Sequence, residues 1–118
     1  MKNFLAIYTG TQSSLDKFKA LTEEQRTSKQ AEGMEAWMDW AKQHAGVIVD
    51  QGAPLGKTKR ASDLGISDIS NAMAGYTIVR AEPHVEAAKL FENHPHFTIF
   101  PGDGVEIMEC LAMPGQAT

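Results

Sequence analysis

A single cysteine, Cys110, in a chain of 118 residues excludes an internal disulfide framework. No apolar run approaches the roughly 20 residues that a membrane-crossing helix needs. The opening MKNFLAIYTG is too short in its apolar run, with Tyr8 and Thr9 following, for a signal peptide. Basic charge is scarce too: 11 Lys and Arg against 15 Asp and Glu leave a net charge of −4 and no basic stripe, which argues against nucleic acid as a partner. Repeats and low-complexity tracts are missing. These absences describe a cytoplasmic protein with no membrane contact, in a reducing setting, folded as one domain over residues 1–118. A chain of this length buries roughly two-thirds of its unfolded surface, enough for one core.

What is present is organised around GYTIVRAEPHVEAAKLFENHPH, Gly75 to His96. Met73 to Ala81 alternates a Tyr76/Ile78/Arg80 face with a Gly75/Thr77/Val79/Ala81 face, and both are largely apolar, as in a strand covered on both sides. Pro83 then suits a first helical position, where its missing N–H costs nothing. The following helix is expected to run to about Asn93 and to end at Pro95, because the residue before a proline is pushed out of the α region.

The chain before it supplies a first strand, Lys2 to Tyr8, expected to be central. A short helical lead-in follows, with Ser13 and Asp16 spaced as a cap. Thr22 and Gln25 form a second capping pair. Met34, Trp37, Met38, Ala41 and Ala45 then line one helix face, with Trp40 off that stripe as a partly exposed contact or as the wall of an interface or pocket. Val47 to Asp50 is a short second strand, and a long loop after it has room for another short strand. Val105 to Met113 is the last strand, and the tail from Pro114 to Thr118 is expected to be loose. The apolar run Phe97 to Phe100 has no evident partner within one chain and is expected against another subunit or over a pocket mouth.

Strand, helix, strand, strand, helix, strand is the ferredoxin-like βαββαβ plan of an α+β protein: a four-stranded antiparallel sheet with both helices on one face. The other face needs cover, and two copies packing sheet to sheet would provide it, so a homodimer forming an α+β barrel is expected. Gly75-Tyr76-x-Ile78-Val79-x-Ala81, the helix Val85 to Phe91, His94-Pro95, Val105-Glu106-Ile107 and the Trp37/Trp40 helix resemble the YCII-related family of the dimeric α+β barrel superfamily. That resemblance implies a dimer with a small pocket between sheet, helix and loops. Some family members are similar to muconolactone isomerase-type enzymes and carry a His/Asp pair. Where those members have a histidine on the first helix, this chain has Glu35.

Histidine is the side chain whose ordinary pKa suits proton transfer near neutrality. His94 or His96, oriented by Asp50 or Glu35, is a candidate general base; the plainer reading is a cationic cap at a helix C-terminus. Arg80 interrupts a face expected to be buried, so it needs either an ion pair with Asp50, Glu106 or Glu109 or an anionic ligand to clamp. Tyr76 shares that face and could add a hydroxyl, while Trp37 and Trp40 are candidate ligand walls. The H-x-H spacing alone is a weak metal signature, and neither a metal nor a cofactor is called for. Residues 50–58 imitate a phosphate-binding loop, but Gln51 stands at its first glycine position and no helical pattern follows. Cys110 reads as a small buried hydrophobe. The functional expectation is therefore a dimer that binds a small polar or carboxylated metabolite, with isomerase- or lyase-type proton transfer. A non-catalytic interaction protein is the alternative.

Overall fold

The computed structural model describes residues 1–115. The chain runs β1 (Lys2–Thr9), α1 (Gln12–Lys19), α2 (Glu23–Gln43), β2 (Ile48–Pro54), β3 (Thr58–Ser62), β4 (Gly65–Ile69), β5 (Met73–Ala81), α3 (His84–Lys89), α4 (Pro95–Thr98) and β6 (Gly104–Glu109). Four strands form an antiparallel sheet in the order β2-β5-β1-β6, while β3 and β4 make a separate hairpin. The order places β1 and β5 in the centre, with each half of the chain crossing over through helices. This is the ferredoxin-like α+β fold. The loop read after β2 is mostly that hairpin, which carries no buried residue.

Alternation on the central strands explains where the core sits. Phe4, Ala6 and Tyr8 of β1 and Gly75, Thr77, Val79 and Ala81 of β5 are buried beneath the helices, whereas Leu5, Ile7, Tyr76 and Ile78 point to the opposite face and are half-buried. Trp40, Ala87 and Phe91 close the core from the helix side, with Trp37, Ala41 and Ile48 packed against it.

Several local readings need revision. The cap of α1 is Thr11 rather than Ser13, while Thr22 and Gln25 do exchange the two hydrogen bonds of a capping box at α2. The buried stripe of α2 is rotated from the expected one: Gly33 and Trp40 are buried, and Met34 and Met38 are each 55% exposed. The reason is Phe100, whose ring occupies the space where a Cβ on Gly33 would lie, 2.5 Å from its nearest atom. Phe100, the last residue of the Phe97 to Phe100 run, thus packs on α2 within the chain. Cys110 is exposed, one residue past the end of β6. The expected tail falls partly on residues 116–118, outside the described residues.

The helix after β5 also stops earlier than expected. α3 ends at Lys89, Asn93 adopts a left-handed φ of 56°, and Pro95 opens α4 instead of closing α3. Proline serves equally well as the first residue of a new helix, and His94 before it has the extended conformation of an N-cap. His94 and His96 therefore sit at a helix start, which removes the reading of a cationic C-terminal cap.

Candidate functional site

Between the inner sheet face, α2 and α4 lies a cavity of about 420 Å³, within the range of roughly 300–1,000 Å³ typical of small-molecule sites. Tyr8, Trp37, Trp40, Thr77, His96 and Phe100 form its walls, and Met34 and residues 51–54 along β2 add to the lining. The aromatic rings are mutually packed: Tyr8 lies 4.9 Å from Trp37 and 5.2 Å from His96, and Phe100 meets Trp37 edge-on at 6.1 Å. Trp40 is locked by its indole N–H, which donates to the Leu90 carbonyl at 2.8 Å.

The two histidines are held by different means. His94 is fully enclosed; its Nδ1 accepts the backbone N–H of His96 at 3.0 Å, capping α4. A neutral ring must then carry its proton on Nε2, and that N–H is buried without a hydrogen-bond partner. The rings of Trp37 and Trp40 pack edge-to-face with the imidazole, their centroids 4.4 and 4.6 Å from its own. Burial first, and then the neighbouring His96 and His44, push the His94 pKa down to about 3.

His96 lies two residues further and lines the cavity. Its Nε2 sits 2.7 Å from the Thr9 carbonyl oxygen, which only accepts, so this nitrogen bears the proton. Burial lowers its pKa, while the Thr9 hydrogen bond and the charge of Asp103 oppose that shift. The ring is therefore neutral near pH 7, with Nδ1 as a lone-pair acceptor. Gly102 makes the placement possible, because a Cβ there would lie 2.3 Å from His96 Nε2.

Opposite stands a hydroxyl pair. Tyr8 Oη and Thr77 Oγ1 are 2.7 Å apart, and Thr77 donates to the Gln51 carbonyl at 3.1 Å. Burial pushes the Tyr8 phenol up to about 12, partly offset by the Thr77 hydrogen bond.

Of the sequence candidates, His96, Trp37 and Trp40 meet at this cavity, with His94 directly behind them. Arg80 and Tyr76 do not join them, because period-two alternation turns both to the other sheet face. Arg80 is exposed, and none of the ion pairs among the described residues involves it. Asp50 is exposed on β2 and uses its carboxylate to accept the Gly52 N–H at 2.8 Å, a turn contact rather than an orienting contact to either histidine. Glu35 lies on the exposed side of α2. Residues 50–58 form strand and turn rather than a phosphate loop opening a helix. Phe100 meets one of the two expectations for its apolar run, a place at a pocket, whereas Tyr8, Thr77 and Gly102 were not legible as site residues; the available signal was two hydroxyl-bearing side chains on otherwise apolar inner strand faces. Among the described residues, no group of three His, Cys, Asp or Glu side chains is placed to hold a metal ion.

No family model and no curated protein matches the chain. Among solved structures it is similar to 5-chloro-2-hydroxyhydroquinone dehydrochlorinase from Burkholderia phenoliruptrix AC1100 in complex with 2,5-dihydroxybenzoquinone, at a TM-score of 0.52 and 17% identity, covering 89% of each chain. At that identity the likeness carries the fold alone.

Proposed function

We propose that this protein binds a small, largely apolar molecule in the cavity between Tyr8, Trp37 and Trp40, and moves a proton on it through His96 in a lyase- or isomerase-type reaction. One observation carries the reading: His96 lines an aromatic-walled cavity with its Nε2–H committed to Thr9, the tautomer that leaves Nδ1 basic. A general base works best when it is uncharged at the operating pH and fixed in one orientation, and the Thr9 carbonyl supplies the orientation. The fold neighbour is a dehydrochlorinase with a small ring compound bound, which supports this architecture as a host for such ligands. The carboxylate clamp at Arg80 drops out of the proposal because that side chain lies across the sheet.

We further place the chain with YCII-related proteins as a homodimer joined through the open sheet face, where Leu5, Ile7, Tyr76 and Ile78 form an apolar row. A second reading, an interaction protein without chemistry, draws on the β3–β4 hairpin, where Leu64 and Ile66 are 94% and 76% exposed. A thermal-shift panel of small ring compounds separates the two readings. Stabilisation that disappears in Trp37→Ala supports the cavity, and a flat response across the panel sinks it.

A further inference from the structure

We infer that the cavity selects its ligand by hydrogen-bond polarity, taking neutral planar molecules with hydroxyl donors, phenols or enols, in preference to carboxylates and to ethers of the same shape. The inference rests on the cavity being a ligand site, as proposed above, and adds the chemical class.

Thr77 has one hydroxyl proton and gives it to the Gln51 carbonyl at 3.1 Å. Tyr8 Oη, 2.7 Å from Thr77 Oγ1, must then be the donor of that pair. Its single proton is spent, and only its lone pairs remain for a ligand. His96 spends its Nε2 proton on Thr9, and its Nδ1, which has no partner among the described residues, is not among the fully enclosed unpaired atoms. The side chains of Tyr8, Thr77 and His96 thus offer the cavity acceptors and no protons.

A ligand hydroxyl satisfies such an acceptor, whereas an ether oxygen or a carboxylate sets lone pair against lone pair. The spare donors of the lining side chains are neutral: the Trp37 indole N–H and the Gln51 amide at the rim. Among the described residues, no lysine or arginine lines the cavity. A carboxylate, which needs several donors or a cation when desolvated, is poorly served. The same polarity suits the chemistry, since a hydroxyl donating to His96 Nδ1 is already aligned to lose its proton.

The test uses the full chain near neutral pH and three probes of similar size: hydroquinone, 1,4-dimethoxybenzene and benzoate. Calorimetry should find hydroquinone about tenfold tighter than either of the others, the worth of roughly one hydrogen bond. Thr77→Val then supplies a reversal. Without its acceptor, Tyr8 is free to donate into the cavity, so dimethoxybenzene should gain several-fold on hydroquinone while the fold is kept. Equal binding of hydroquinone and its dimethyl ether, or tightest binding of benzoate, overturns the inference and leaves the cavity as a ligand site. Binding of none of the probes removes that reading and this one together.

Discussion

His96 Nε2 and the backbone N–H of Asp103 share one acceptor, the carbonyl oxygen of Thr9, at 2.7 and 2.9 Å. The end of β1 is thereby tied to the turn after α4, and the imidazole is fixed in the tautomer that leaves Nδ1 without a proton. Gly102 lies between these partners and donates its own N–H to the His96 carbonyl at 3.0 Å.

Gly102→Ala should therefore displace the ring from Thr9. The added Cβ would stand 2.3 Å from Nε2 and 2.4 Å from the His96 carbonyl oxygen, and the second of these is backbone that cannot swing away. A stability loss of about 1–3 kcal/mol is expected from the strain and the broken hydrogen bond. Denaturant melts measure that loss, and the His96 ring resonances should move with it. Unchanged resonances would dissociate Gly102 from the placement of the ring.

Acid should unfold the protein through its buried histidines. Burial takes the His94 pKa from 6.5 to about 3 and lowers that of His96. Below pH 6.5 the unfolded chain takes up protons that the folded chain refuses, so this stability is complete above that pH and is lost as pH falls toward 3. The slope is about 1.4 kcal/mol per pH unit for each histidine so affected. Urea melts across the window measure it, and His94→Asn, which keeps a side-chain acceptor for the cap, should shallow the slope by about one proton. A stability that does not fall across the window would contradict the buried neutral state.

Trp40→Phe should cost about 1–3 kcal/mol, because it removes the indole donor to Leu90 and opens space beside the buried His94 ring. Met38→Ala, on the exposed side of the same helix, should stay within about 0.5 kcal/mol. Comparing the two melts tests the rotated stripe. Had Met34 and Met38 faced the core, the ranking would be reversed.

That stripe marks where sequence reasoning reached and where it stopped. β5 falls on Met73–Ala81 as its alternation predicts, and the Thr22/Gln25 box opens α2, because both signals are local. The face of α2 was not local: methionines and tryptophans satisfy helical spacing in more than one rotation, and the choice was made by Phe100, dozens of residues away. Likewise Pro95 could end one helix or begin another, and the left-handed Asn93 settled the matter. The hydroxyl pair of Tyr8 and Thr77 spans 69 positions in the chain. Residue type marked His94, His96, Trp37 and Trp40 as candidates, while the sheet register divided them from Arg80 and Tyr76.

Excising the β3–β4 hairpin should leave the fold standing. Leu55 N–H bonds the Ala74 carbonyl at 2.9 Å, so the chain on either side is already paired, and a short glycine-serine link can replace residues 57–70. With no buried residue lost, the stability change should be within about 1 kcal/mol. Hydroquinone binding should persist as well. Loss of the folded state on excision would show that the hairpin carries packing that its exposure does not reveal.

The open sheet face supplies the last expectation. In register, Leu5 stands opposite Ile78 and Met108, and Ile7 opposite Tyr76, so one apolar row crosses the three strands β5, β1 and β6. Burying side chains of this kind gains roughly 1.5–3 kcal/mol each, which two copies face to face would share. Sedimentation equilibrium should accordingly give twice the 12.9 kDa chain mass. Ile78→Asp should yield the monomer, since a carboxylate in the centre of that row would be desolvated without a partner. Arg80→Ala, opposite Asn3 near the end of the strand, should leave the dimer intact. Because the cavity opens on the helix side of the sheet, the Ile78→Asp monomer should still bind hydroquinone. A wild-type monomer would remove the pairing, and loss of ligand binding in a folded Ile78→Asp monomer would show that the cavity depends on the second copy.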